Sequence, residues 1–380
     1  MEGILIQDLE LKRQLFVCYT CRLCTNLCPF FPKLYETFKD NLSFDDYFNL
    51  ADLCYQCKIC YHICPYKDPH PYKIDIPKLL LNVKALKVKK KGLSLEDRLL
   101  GRIYLESNFP PNLINFLNER RIFRKFLDEF FGISKDRILP KFSKKTFKRI
   151  YQERRKKTSE NKLALFYTCY VNLHEPDLGL KALEILENCG FEVILPEQKC
   201  CGMPLLDGGD LENFKEFMLF NIKALKNLKI PIVTLSPTCH YVLTKDYPPF
   251  QEIYYITDFL LRLKEKGKLN MSFKELDKSI AYHAPCHLRA SNLVSRSLQL
   301  LKLIPKVKVK VIEACSGMDG TWGLKKKYFP LSLKIGEKLV SKIGKEDLVV
   351  SDCPLSSLQI KQILKVNPLH PIEVLYNASL

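Results

Sequence analysis

The 380-residue sequence shows neither the pattern expected of a secretory leader nor an apolar run long enough to span a membrane. Its first ten residues are acidic and apolar, without the basic start, apolar core and small-residue cleavage site of a leader. Its longest uncharged run, residues 230–244, has 15 residues, whereas a spanning helix needs about 20. We therefore expect a cytoplasmic protein, in which 16 cysteines favour metal binding over disulfides.

Signatures of nucleotide and nucleic-acid binding are also missing. Without a G-x-G-x-x-G fingerprint or a P-loop, any flavin or nicotinamide belongs to another subunit. Zinc-finger, RRM-like and homeodomain patterns are absent, so the net charge of +18 does not indicate nucleic-acid binding. The charge is regional, because residues 84–162 hold 23 Lys and Arg against 9 Asp and Glu. We interpret this cysteine-free segment as a basic connector.

The connector contains an amphipathic pattern. Apolar residues recur every three or four positions across residues 113–131. Between them lie four cations: Arg120, Arg121, Arg124 and Lys125. The pattern predicts one basic helix, and three alternatives stay open for it. The first is that the helix lies in an anionic membrane surface as a peripheral anchor. The second is that it packs on the protein with its basic face in solvent, and the third is that it docks on a partner.

A C-x2-C-x2-C-x3-C-P run occurs twice near the start of the chain, with an offset of 36 residues. Three cysteines at this spacing can hold three corners of a 4Fe-4S cluster, while the fourth reaches the neighbouring cluster. The runs therefore predict two 4Fe-4S clusters with crossed ligands. Cluster 1 takes Cys18, Cys21, Cys24 and Cys64, and cluster 2 takes Cys54, Cys57, Cys60 and Cys28. Zinc is the alternative, although zinc sites normally use two separated pairs.

Strand-like and helix-like patterns alternate from residue 163 onward, which predicts a parallel sheet with helices on both faces. The strand-like segments are residues 163–167, 191–195, 230–235, 280–283, 307–312 and 348–350. Cysteines follow the carboxyl ends of these strands, where ligand sites of open parallel sheets lie. The cysteines of the first half recur in the second at offsets of 117, 115 and 114 residues, which indicates an internal duplication.

The predicted fold is α+β and multidomain. Helix-like apolar spacing in residues 30–53 places the two cysteine runs between helices, and this arrangement resembles an alpha-helical ferredoxin domain, which would span residues 1–83. The basic helical connector follows at residues 84–162. Two α/β repeats occupy residues 163–272 and 273–380.

Four phrases of the back half carry a family resemblance: Tyr167-Thr-Cys169-Tyr-Val-Asn172, Lys199-Cys-Cys-Gly-Met-Pro204, His283-Ala-Pro-Cys-His287 and Cys315-Ser-Gly-Met-Asp-Gly-Thr-Trp-Gly323. They resemble the duplicated cysteine-rich "CCG" domain. With the ferredoxin front and Asp136-Arg-Ile-Leu-Pro140, the chain resembles the iron-sulfur family of anaerobic glycerol-3-phosphate dehydrogenase C subunits and heterodisulfide reductase D subunits.

The family motif implies five cysteines in each repeat, and both repeats depart from it. The first keeps Cys169, Cys200, Cys201 and Cys239, predicted to hold a third iron-sulfur cluster, with Val242 at the fifth position. The second keeps Cys286, Cys315 and Cys353, with Ser316 and Ser356 at the missing positions. Because serine is a poorer iron ligand than thiolate, these three either hold a cluster with an open iron or are a relic. Cys189, late in a helix, is expected in the core.

Other side chains are weaker candidates. His240 and His287 each follow a predicted ligand cysteine, so each could ligate iron, deliver protons or cap a helix. Asp319 lies in a glycine-rich loop and is either a proton donor or a turn residue. Three lysines at residues 325–327 either start a helix in solvent or attract an acidic partner or anionic lipid.

The resemblance implies an iron-sulfur oxidoreductase subunit that is active with a partner. We expect it to relay electrons between a flavoprotein dehydrogenase, of glycerol-3-phosphate, glycolate or lactate type, and a quinone or disulfide acceptor. One alternative is an electron-transfer module without its own substrate site. Another is a zinc-stabilised scaffold that docks on nucleic acid or lipid. The direction of electron flow stays open.

Overall fold

The computed structural model describes residues 2–38, 42–103, 110–318 and 320–379. The front portion is helical, as the sequence predicts. Its helices are α1 (Glu2–Cys21), α2 (Phe30–Thr37), α3 (Phe44–Asp52), α4 (Ile59–His62) and α5 (Ile76–Lys91). Ser43 and Asp46 form a capping box at the start of α3, and Asp75 caps α5. The apolar faces of α1, α2, α3 and α5 share one core, and α5 continues past the predicted boundary at residue 83.

The connector contains α6 (Leu95–Ile103), α7 (Pro111–Glu119), α8 (Arg121–Phe131) and α9 (Phe147–Glu153). The prediction of one helix over residues 113–131 is wrong, because α7 and α8 meet at Arg120, whose backbone is extended (φ −88°, ψ 121°). Arg124 of α8 is buried, and its Nη2 donates to the carbonyl oxygens of Ser134 and Arg137 at 2.6 Å each. One of the four cations therefore holds the chain internally instead of facing solvent.

The first repeat contains a parallel sheet in the order β2-β1-β3-β4. The strands are β1 (Lys162–Phe166), β2 (Glu192–Ile194), β3 (Ile232–Thr234) and β4 (Ile253–Tyr255). The helices are α10 (Cys169–Leu173), α11 (Pro176–Asn188), α12 (Met203–Gly208), α13 (Leu211–Lys226), α14 (Pro237–Tyr241) and α15 (Ile256–Glu265), with a π-helical turn at Val242–Asp246. The sequence predicts β1, β2 and β3 and the two long helices α11 and α13, but it did not indicate β4 or the other helices of this repeat.

The second repeat contains a parallel sheet in the order β6-β5-β7. The strands are β5 (Ser279–His283), β6 (Lys308–Ile312) and β7 (Leu348–Ser351). The helices are α16 (Cys286–Ala290), α17 (Val294–Leu301), α18 (Phe329–Ile343), α19 (Pro354–Leu364) and α20 (Pro371–Ser379), with 3-10 turns at Trp322–Leu324 and Lys326–Tyr328. A parallel bridge between Val350 and Leu369 takes the place of the β3–β4 pairing. The shared strand order confirms the duplication.

The two repeats pack against each other at one common core. Helix α14 lies against α16, and α15 lies against α17. Because α14 contains Cys239 and α16 begins with Cys286, the cysteine-bearing edges of the two repeats meet. Across the described ranges, every helix is too short or too polar to cross a bilayer.

Arg137 anchors the connector on the second repeat. This side chain is 2% exposed, and its Nη2 donates to Ser332 Oγ of α18 at 2.8 Å while Nη1 donates to Gln359 of α19. Its guanidinium carbon also lies 4.6 Å from the ring centre of Phe329. Burial lowers the pKa of Arg137 to about 10, so the group stays charged at neutral pH.

Candidate metal centres

The first cavity, of about 20 Å³, is lined by cysteines from both ferredoxin runs. They are Cys18, Cys21, Cys24 and Cys64, the crossed set predicted for cluster 1. Burial, with a smaller contribution from neighbouring thiolates, raises the pKa of Cys18 and that of Cys24 to about 12. Thiols this basic ionise only beside strong positive charge, which bound iron supplies. The donor set therefore fits a 4Fe-4S cluster.

The second cavity, of about 1090 Å³, contains the set predicted for cluster 2. Its lining includes Cys28, Cys54, Cys57 and Cys60. Burial and the nearby Cys57 and Cys54 thiolates raise the pKa of Cys28 and of Cys60. Gln56 and Lys58 have positive φ and turn the loop between the cysteines, and the Lys58 ammonium donates to the Gln56 side chain at 3.0 Å. These donors also fit a 4Fe-4S cluster.

The third cavity, of about 90 Å³, lies between the two α/β repeats. All four predicted ligands of the first repeat line it: Cys169, Cys200, Cys201 and Cys239. The Sγ atoms of Cys169 and Cys200 are 3.9 Å apart. Hydrogen bonding with Cys169 and Cys201 lowers the pKa of Cys200, and the same contacts raise the pKa of Cys169 and that of Cys201. Buried thiols that share protons in this way form a soft donor set suited to iron or iron-sulfur clusters.

The loop that carries Cys200 and Cys201 is held by its carbonyl groups. The buried Asn221 amide donates to Cys200 O at 3.1 Å, and the Tyr247 hydroxyl donates to Cys201 O at 2.9 Å. Gly202 follows with φ +94°, and a Cβ there would lie 2.6 Å from the Phe214 ring. Glycine is therefore required after the cysteine pair, both for the backbone angle and for space.

The second repeat divides its cysteines between two cavities. Cys315 lines the second cavity, and its Sγ lies 3.2 Å from the Tyr55 hydroxyl of the ferredoxin portion. Cys353 lines the third cavity, whereas Cys286 lines both and hydrogen-bonds Cys57 and Cys315. The structure therefore does not bring these three predicted ligands together in one cavity.

The positions without cysteine differ in their surroundings. Ser316 and Ser356 both line the third cavity, and the Ser356 hydroxyl donates to Ser316 Oγ at 3.1 Å. Val242 is fully buried in the core that also contains Cys200, Cys201 and Cys239. The first repeat thus has an apolar side chain where the motif has a ligand. Cys189 packs partly buried against the core between the repeats.

The two candidate histidines occupy different places. His287 is buried and lines the third cavity, but its Nε2 donates to Gln56 O at 3.1 Å and its Nδ1 accepts from the Thr238 hydroxyl at 3.1 Å. It thereby joins the ferredoxin portion to both repeats, and burial lowers its pKa to about 4. His240 packs near the ring of Tyr255, outside the described lining of the third cavity, and burial lowers its pKa to about 4 as well.

The remaining candidates are of two kinds. Asp319 lies outside the described residues. The three lysines at residues 325–327 are not a free basic patch, because each is within 4 Å of a carboxylate. Their partners are Asp97 for Lys325 at 2.5 Å, Asp128 for Lys326 at 2.6 Å and Asp52 for Lys327 at 3.7 Å. These pairs join the second repeat to the connector and the ferredoxin portion.

Sequence reasoning missed a buried carboxylate beside Cys353. Asp352 accepts hydrogen bonds from the hydroxyls of Tyr255 at 2.6 Å and Tyr282 at 2.5 Å, at the contact between the repeats. Burial raises the pKa of Asp352 to about 6. Its position next to a predicted ligand was a usable signal, but nothing in the sequence pairs it with those tyrosines.

Comparisons with known proteins identify the family. The Citrate utilization protein B Fer4-like domain model matches residues 11–90, and the Cysteine-rich domain model matches residues 163–244 and 280–361. The C subunit of the anaerobic glycerol-3-phosphate dehydrogenase of Escherichia coli K12 is 31% identical over 289 residues, which cover 71% of this chain and 72% of that protein. The chain belongs to this iron-sulfur family. The resemblance stated from the sequence is therefore confirmed.

Further relatives of this iron-sulfur family carry other enzyme names. The B subunit of the fumarate reductase (CoM/CoB) of Methanothermobacter marburgensis is 29% identical over 222 residues, or 57% of this chain and 45% of that protein. Lactate utilization protein A of Oceanobacillus iheyensis is 33% identical over 184 residues, or 43% of this chain and 73% of that protein. The family thus supports an electron-transfer role within an oxidoreductase complex.

Proposed function

We propose that the chain is the iron-sulfur subunit of a complex that passes electrons between a flavoprotein dehydrogenase and a quinone or disulfide acceptor. The succession of thiol-lined cavities carries this proposal. Cys24 of the first cavity is close enough to Cys60 of the second to raise its pKa, and Cys286 lines both the second and third cavities. Iron-sulfur clusters held by these thiols supply one-electron transfer. The polypeptide holds and buries the ligands of these successive cavities.

The donor is proposed to be a separate flavoprotein, of glycerol-3-phosphate, glycolate or lactate type, because the sequence has no nucleotide-binding fingerprint. A basic wall of the second cavity offers a docking surface. Three exposed lysines lie one turn apart on α18 and line this cavity: Lys334, Lys338 and Lys342. Among the described residues none of them forms an ion pair, and like charges at this spacing repel each other. An acidic partner surface would relieve that repulsion.

The acceptor is proposed to react at the third cavity. Besides cysteines and several hydroxyl groups, its walls contain the apolar side chains of Met203, Pro204, Pro285 and Leu355, which would contact an apolar or sulfur-containing molecule. The alternative of a module without a substrate site makes a different prediction. In that case, replacing Cys200 by Ser leaves reduction of a quinone or disulfide by the donor complex unchanged.

Anaerobic purification with iron and acid-labile sulfide analysis tests the proposal. Three four-iron clusters give about twelve irons per chain, and two give about eight. A distinct electron paramagnetic resonance signal beyond those of the ferredoxin portion supports the third site. About eight irons with no such signal would remove it, and zinc with negligible sulfide would select the scaffold alternative.

Peripheral membrane association is proposed through α7 and α8. Ile122 is 85% exposed and Phe130 is 64% exposed, with Arg120, Arg121 and Lys125 nearby along the chain. Liposome flotation should show binding to anionic vesicles that is lost when these three cations are replaced by Glu. Arg124 is left unchanged because it is buried and structural. Unchanged flotation would exclude this surface as a membrane anchor.

A further inference from the structure

The third cavity draws its sulfur donors from both repeats. Four come from the first repeat, and Cys286 and Cys353 come from the second. A site that belonged to the first repeat alone would have no reason to present second-repeat cysteines in its wall. This shared lining leads to an inference that rests on the proposed third cluster and specifies its ligands.

The first repeat is short of one donor within its own sequence. One helical turn after Cys239, the chain has Val242, which is fully buried and has no ligand atom. Val242 begins the π-helical turn Val242–Asp246, and its side chain packs in the core of the first repeat. The position where the motif has a ligand is therefore taken by a core side chain. Any further thiolate at this cavity must therefore come from the other repeat.

The second repeat, in turn, does not assemble a separate site. Cys315 is oriented away from the third cavity by two contacts, since its Sγ lies 3.2 Å from the Tyr55 hydroxyl and accepts from Gly317 N at 3.3 Å. Ser316 and Ser356 satisfy each other through one hydrogen bond. Cys286 lines both the second and the third cavity, whereas Cys353 lines the third cavity and not the second cavity.

We propose that Cys353 is an additional thiolate ligand of one composite iron-sulfur site, built from Cys169, Cys200, Cys201 and Cys239 of the first repeat. The second repeat contributes this ligand and holds no cluster of its own. Cys353 is the N-cap residue of α19, immediately before Pro354, so the start of that helix directs the ligand into the cavity. The composite site would then also tie the two repeats together.

The Cys353→Ser variant of the full chain, purified anaerobically, tests this inference. Serine is a favoured helix N-cap residue of similar size, so α19 should keep its structure. We expect the third-site resonance to be lost or altered and total iron to fall by about a third, from three four-iron clusters to two. The ferredoxin signals should remain, which serves as the internal folding control. Cys200→Ser is the positive control and should remove the same signal.

Cys315→Ser is the matched control from the same repeat. Because its side chain faces the second cavity, it should leave the third-site resonance unchanged. If Cys353→Ser keeps that resonance while Cys200→Ser removes it, the composite ligand is refuted although the third cluster stands. If a fourth cluster signal depends on Cys315 and Cys353 together, each repeat holds its own cluster and the inference is also refuted. A wild-type chain with only about eight irons would instead overturn the proposed third cluster itself.

Discussion

Lys84 and Lys87 lie three residues apart on α5 and each pairs with an aspartate, but only the Lys84 pair is buried. Lys84 Nζ lies 3.2 Å from Asp207 Oδ1, and the two side chains are 8% and 3% exposed. Lys87 Nζ lies 2.7 Å from Asp52 Oδ2, with exposures of 32% and 20%. The buried pair joins the ferredoxin portion to α12, the helix that follows the Cys200 loop. The two lysines therefore offer a matched test of what holds these parts together.

Replacing Lys84 by Met leaves the Asp207 carboxylate buried without its nearest cation. Removing one partner of a buried ion pair costs about 3–5 kcal/mol, whereas an exposed pair contributes about 0.2–1 kcal/mol. Lys325 also interacts with Asp207 and compensates for part of the lost charge. We therefore expect the free energy of unfolding to fall by about 3 kcal/mol, at the lower end of this range. This corresponds to roughly a 100-fold change in the unfolding equilibrium. Lys87→Met should lose about 1 kcal/mol or less.

Urea unfolding followed by circular dichroism and by tryptophan fluorescence measures both variants. The chain has one tryptophan, Trp322, which is buried and donates from Nε1 to Asp52 O at 3.0 Å, so it reports on the contact between the ferredoxin portion and the second repeat. The double variant Lys84→Met/Asp207→Leu should recover part of the loss, because no uncompensated charge stays buried. Equal destabilisation by Lys84→Met and Lys87→Met would refute the reasoning.

Three further predictions concern the cysteine cavities. Gly202→Ala should reduce the iron content of the third site, because the new Cβ would lie 2.6 Å from the Phe214 ring. Gly190→Ala is the control, since Gly190 also has positive φ but lies in open space, and it should leave the iron content unchanged. Equal iron content in the two variants would contradict this prediction. Burial raises the pKa of Asp352 to about 6, above its value in the unfolded chain. The contribution of Asp352 to the free energy of unfolding should therefore fall as pH rises between about 4 and 6. Asp352→Asn should flatten that part of the pH–stability curve, and an unchanged curve would rule out this role of Asp352. Replacing the three α18 lysines Lys334, Lys338 and Lys342 by Glu should slow cluster reduction by anionic dithionite on the order of tenfold at low salt. Reduction by cationic methyl viologen should not become slower. If the variant and the wild type are reduced at equal rates by both reagents, a steering role for these lysines is excluded.

The parts of the site that were predictable from the sequence are those set by short spacing. Each run places its own cysteines within a few residues of each other, and the repeat of the run indicates the crossed fourth ligand; Cys64 lines the first cavity with the first triplet. The groups that position the ligands were not predictable, because their partners are distant along the chain. Asn221 reaches the Cys200 carbonyl across 21 residues, and Tyr255 reaches Asp352 across 97. A periodic pattern carries no information about such contacts.

The same reasoning explains why the connector was only partly predicted. Its period correctly indicated amphipathic helix, since α7 and α8 are both helical. The period shows neither the break at Arg120 nor the burial of Arg124, whose acceptors are backbone carbonyls of Ser134 and Arg137 that have no sequence signature. Hydrophobic period therefore predicted the type of element here but not its continuity.

A duplicated sequence did not produce a duplicated site, and the ferredoxin portion contacts the two copies differently. Cys200 and Cys315 occupy equivalent positions 115 residues apart, yet Cys200 faces the other repeat whereas Cys315 faces Tyr55 of the ferredoxin portion. Tyr55 of the ferredoxin portion packs beside Trp322 of the second repeat, with 5.0 Å between ring centres, in a cluster that also contains Tyr328. The ferredoxin portion therefore breaks the symmetry of the two repeats. The three cysteines that the second repeat keeps are divided accordingly, because Cys315 and Cys286 line the second cavity and Cys353 lines the third.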